Sequence, residues 1–105
     1  MKGVRFSAEA RKELLHEVRY YEAARPGTGS RFRLAVEAAA ARALAFPESG
    51  IPSPAQTRRI LVKGFPFSIV YEPTDGGVFI HAVAPGRKRP EYWVGRVKPS
   101  GRVDR

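Results

Sequence analysis

The chain has 105 residues, 43% hydrophobic and 28% charged, a composition that suits one small folded domain and excludes intrinsic disorder. It holds no apolar run of about 18 residues, no signal-peptide core after Met1-Lys2-Gly3-Val4-Arg5 and no cysteine, so no membrane span, disulfide or thiol chemistry is expected and the expected location is cytoplasmic. Nineteen Lys and Arg against ten Asp and Glu leave a net charge of +9, and residues 87–105, with seven cations and two anions, hold +5 of it. Such asymmetry points to nucleic acid, the ribosome or an acidic protein as partner. Fourteen of the nineteen cations are arginine, whose planar fork suits phosphate and carboxylate.

Val4 and Phe6 alternate with Arg5, which predicts a short edge strand. Ser7 then offers an N-cap, and Glu9 an anion in the first turn, where the helix dipole favours one. Leu14, Val18 and Tyr21 recur at helical spacing with Leu15 beside them, while Lys12, Glu13, Glu17 and Arg19 face elsewhere. Arg25-Pro26-Gly27 ends that helix. Thr28 or Ser30 is placed to cap a second one, whose stripe is Phe32, Val36, Ala39, Ala43 and Phe46, as far as Pro47. Residues 38–41 are all alanine, which would let the two helices of an αα-hairpin approach closely.

Residues 48–56 are rich in Ser, Gly and Pro and read as a loop. Residues 58–65 are rich in β-branched and aliphatic residues and predict a strand. In the next, Phe65, Phe67, Ile69 and Tyr71 share one face at period two, with Pro66 in the turn or at the strand's start. Asp75-Gly76-Gly77 is a hairpin turn leading to a strand over residues 78–84. The order is β-α-α-β-β-β. The expected fold is an α+β two-layer sandwich, with a helical hairpin on one face of a small, mainly antiparallel sheet. The other face would stay partly open, and function is expected there and at the strand ends. The domain is expected over residues 1–98, with residues 99–105 as a flexible tail.

Arg87-Lys88-Arg89 stand between the last strand and the pair Tyr92-Trp93, with Gly86 and Pro90 shaping a turn. Cations at a strand end beside aromatics suit an acidic partner; a solvated turn is the plain alternative. For Tyr92 and Trp93 the alternative is packing on the sheet. For Arg58 and Arg59 it is a strand edge blunted against aggregation, and for His81 a surface or satisfied side chain. His16 and His81 are the only histidines, so no metal or other cofactor is expected.

Arg58-Arg59-Ile60, then Phe65-Pro66-Phe67-Ser68-Ile69-Val70-Tyr71, Ile80-x-Ala82-Val83 and Arg87-x-Arg89-Pro90-x-Tyr92-Trp93 follow the helical hairpin in that order. Together they resemble the RelE/ParE toxins of type II toxin–antitoxin systems over about residues 2–97, and the Phe-Pro-aromatic and Pro-x-Tyr-Trp patterns are nearer the ParE branch. The resemblance implies a cognate antitoxin whose helix and extended segment wrap the toxin, and a hetero-oligomer with it; a net charge of +9 fits an acidic one.

The ParE branch implies a toxin that inhibits growth by binding DNA gyrase. Arg87, Lys88, Arg89, Tyr92, Trp93 and Arg96 would bind the target, with Tyr92 and Trp93 as buried anchors or as supports for the cations. The RelE branch implies a ribosome-dependent mRNA endonuclease, for which Arg59, Lys63, Arg87, Arg89 and Tyr92 are the catalytic candidates and His81 a further acid or base. Two departures favour the first activity. Ser68 stands where the nuclease branch commonly has an arginine, and Pro85-Gly86 stand where a histidine often precedes the arginines. A plain RNA- or DNA-binding domain is a third reading, but the alternating Gly and aromatic motif of an RNA-recognition sheet is absent.

Overall fold

Ser7 turns the chain from strand to helix. Its backbone is extended, and its hydroxyl accepts the Ala10 N–H at 3.0 Å, the cap that the sequence predicts. In the computed structural model, which describes residues 2–86 and 91–97, this junction joins β1 (Gly3–Phe6) to α1 (Ala8–Ala24). There follow α2 (Thr28–Ala45), β2 (Ile51–Ser53), β3 (Thr57–Val62), β4 (Phe67–Thr74), β5 (Gly77–Pro85) and a 3₁₀ turn, Val94–Arg96. The tail expected over residues 99–105 lies outside the described residues.

The helical hairpin forms, but its second helix is capped from a distance. The N-cap is Gly27 at φ 92°, not Thr28 or Ser30, and it has no side chain to give. Glu22 of α1 substitutes: its carboxylate accepts the N–H groups of Gly27 and Gly29, each at 3.0 Å. The helices touch so closely here that a Cβ on Gly29 would stand 2.5 Å from the Val18 carbonyl oxygen. Phe46 also departs from expectation. The helix has ended at Ala45, so Phe46 leaves the buried stripe and is 68% exposed.

The five strands form one sheet in the order β1-β5-β4-β3-β2, giving β-α-α-β-β-β-β. The meander β3-β4-β5 is antiparallel, and β1 lies parallel to β5 at one edge. At the other edge, part of the expected loop is β2, with Ile51 opposite Arg59 and Ser53 opposite Thr57. An edge tolerates a strand this short and the missing N–H of Pro52. Phe65 and Pro66 belong to the β3–β4 turn, so β3 stops at Val62.

The main core lies between hairpin and sheet. Ala10 and Leu14 of α1 and Phe32, Val36, Ala39 and Ala43 of α2 pack on Val62, Phe67, Ile69, Tyr71, Val78, Ile80 and Val83. Phe32 meets Phe65 and Phe67 edge-on, each with centroids 5.0 Å apart. In β5 the alternation slips. Val70 pairs with Ala82 and Tyr71 with Ile80, which leaves His81 as the extra residue of a bulge. Ile80 and Val83 therefore both face the helices, while Ala82 joins a second, smaller core on the opposite face with Val70, Trp93 and Val97. The face expected to stay partly open is thus covered over its central strands by the carboxy-terminal segment.

Candidate functional site

The segment that covers the second face is held by burial and by one carboxylate. Trp93 is 1% exposed and packs with Val70 and Ala82; Val97 closes the same cluster. Beside them Glu13, on the flank of α1, accepts from the Tyr92 hydroxyl at 2.7 Å and from both terminal nitrogens of Arg96 at 2.8 and 3.1 Å. The same carboxylate accepts the Val83 N–H of β5 at 2.9 Å. Arg96 also donates to the His81 carbonyl at 3.0 Å, and its guanidinium lies 5.1 Å from the Tyr92 ring centroid.

These contacts move two proton affinities. Burial, and then the hydrogen bond to Glu13, push the Tyr92 hydroxyl well above the ordinary tyrosine value. The hydrogen bond to Glu13 likewise holds the Arg96 guanidinium above its usual range. Tyr92 thus stays protonated and bonded, and Arg96 has its charge matched within the chain.

A groove of about 300 Å³ opens between the end of β2 and this segment. Its floor carries Arg59 and Ser68, on neighbouring strands, and Tyr92 lines its wall. Gly86 and Glu91 also line it, the residues at which the described chain leaves for, and returns from, residues 87–90. Gly86 is fixed there by its N–H, which donates to the Pro66 carbonyl at 2.8 Å. Arg87, Lys88 and Arg89 themselves lie outside the described residues.

The sequence candidates therefore divide. Arg59 and Tyr92 share the groove, whereas Lys63 is exposed in the β3–β4 turn and does not line it. Trp93 lies inside the second core and also lines the groove, and Arg96 is clamped to Glu13. His81 stands apart: it is 6% exposed, its Nε2 is 3.0 Å from a Glu72 carboxylate oxygen, and it meets Phe79 edge-on at 4.9 Å. It is a satisfied side chain in a different cleft, of about 550 Å³, at the β1 edge with Arg5 and Glu9. Among the described residues no three His, Asp or Glu side chains gather to hold a metal ion, and no helix is long and apolar enough to cross a membrane.

Glu13 is the residue that sequence reasoning missed. It reads as one of several charges turned away from the buried stripe. Its position three residues after Ala10 and one before Leu14 was the available signal, since it places Glu13 at the stripe's border.

The family model of the ParE toxin of type II toxin–antitoxin systems matches residues 4–90 of this chain. Among solved structures, a chain described as "Chromosomal ParDE TA system from P. aeruginosa" is similar in fold, with a TM-score of 0.70 at 16% identity. The match covers 81% of this chain and 96% of that one. Among curated proteins, none matches significantly.

Proposed function

Because the chain belongs to the ParE toxin family of type II toxin–antitoxin systems, we propose that it arrests growth by gripping a protein target, DNA gyrase, in the cytoplasm. The grip is made by Arg87, Lys88 and Arg89, with Arg59 in the groove that Gly86 and Glu91 also line. A cognate acidic antitoxin neutralises it, forming a hetro-oligomer held partly by charge.

The observation that carries this reading is the setting of the basic triplet. Gly86 and Glu91, the described residues on either side of residues 87–90, line the groove that Arg59 also lines, and the chain after Glu91 is anchored at once by Tyr92 and Trp93. Cations on a fixed base lose less conformational entropy on binding than cations on a free tail. Binding needs no proton transfer, and the site offers little for one. The Tyr92 hydroxyl is already donated to Glu13 and is raised in pKa, so it is a poor general base or acid near neutrality. Ser68 supplies no charge to clamp a phosphate.

Expression of Arg87→Ala with Arg89→Ala tests the assignment. Growth arrest should be lost while circular dichroism and melting stay those of the parent chain. Undiminished arrest would mean that the basic triplet is not the effector surface. Co-expression of a short acidic protein encoded beside this one should relieve the arrest, as the antitoxin reading requires.

A further inference from the structure

An ionised carboxylate has about four acceptor positions, and Glu13 uses four, for Val83 N–H, Tyr92 O–H and two Arg96 N–H groups. Its donors come from β5 and from the carboxy-terminal segment, so one side chain of α1 ties the sheet to the chain that returns after the basic triplet. An exposed ion pair contributes little. Here both side chains are 22% exposed, the contact to Arg96 is bidentate, and two further donors converge on the same oxygens. The site also stands apart from the main core: α1 is held on the sheet by Ala10 and Leu14, with Val18 and Tyr21 beside them.

We propose that Glu13 is a positioning residue of the toxin. Through Tyr92 and Arg96 it sets the seat of residues 91–97 on the sheet, and with it the direction in which the chain presents its cations to the target. The proposal rests on the reading that Arg87, Lys88 and Arg89 form the effector surface. The role belongs to the carboxylate's charge and its two oxygens, because a neutral amide at this place accepts through one oxygen alone.

Trp93 reports the seat directly, being the only tryptophan of the chain and buried in the cluster that Glu13 secures. In Glu13→Ala, acrylamide quenching of Trp93 should rise and its emission should shift to the red, at temperatures where circular dichroism remains native. The potency of growth arrest should fall about tenfold, the equivalent of about one charge-assisted hydrogen bond. Glu13→Gln keeps an acceptor for the Val83 N–H and should fall between the two; it carries the test if the alanine variant does not fold. Unchanged quenching and emission in both variants overturns the proposal. So does a loosened Trp93 with full potency, provided that Arg87→Ala with Arg89→Ala abolishes arrest. If arrest survives that double variant as well, the effector reading is what has failed, and the positioning role falls with it.

Discussion

Tyr92 holds its proton more tightly in the folded chain than it would unfolded, because burial and the Glu13 hydrogen bond both disfavour the phenolate. The ordinary value is 10.0. Above it, an unfolded chain binds fewer protons at this position than the folded one, so the group's contribution to stability falls as pH rises. Below it the contribution is fully present. The seat of Trp93 should therefore be constant from neutrality to about pH 10 and loosen above it. Trp93 emission followed through an alkaline titration checks this, and Tyr92→Phe should flatten the dependence that this hydroxyl causes. The chemistry of Tyr92 was not legible from its neighbours in sequence. Its partner Glu13 is 79 residues away, and only the fold brings the two to 2.7 Å.

Elements formed by local rules were legible; those formed by distant partners were not. The period of Leu14, Val18 and Tyr21 and the Ser7 cap predict α1 because both signals act within a few residues. The strands β4 and β5 follow from period-two alternation and the Asp75-Gly76-Gly77 turn. The three-residue β2 has too few residues to show a period, and its pairing with β3 comes from the sheet. The start of α2 shows the same limit, since Glu22, not a local Ser or Thr, accepts its free N–H groups. Glu22→Ala should destabilise the chain by about 1 kcal/mol, the usual cost of losing a cap. Urea unfolding followed by circular dichroism measures it, and a Glu22→Ala midpoint equal to that of the parent chain would mean that solvent serves those groups equally well. The bulge at His81 is a third case. It lets Ile80 and Val83 share the main core while Ala82 faces Trp93, which strict alternation would forbid.

At the scale of the molecule, two buried clusters lie on opposite faces of one sheet. The larger fixes the hairpin; the smaller fixes the carboxy-terminal segment that follows residues 87–90 in sequence. The order of motifs was enough to indicate the family, because Arg58-Arg59-Ile60, the Phe-Pro-Phe strand and the Pro-x-Tyr-Trp end are contiguous patterns. The allocation of roles within the last of them was not. Nothing in the sequence pattern tells that Trp93 is buried in the second core at the groove's side, that Arg96 is clamped to Glu13, or that Arg59 lies in that groove. The central claim is that the chain binds gyrase and leaves messenger RNA whole. Purified protein added to a gyrase supercoiling reaction should inhibit supercoiling, at concentrations that leave messenger RNA intact in a translating ribosome mixture. Codon-specific cuts in that mixture, with supercoiling unaffected, would contradict it.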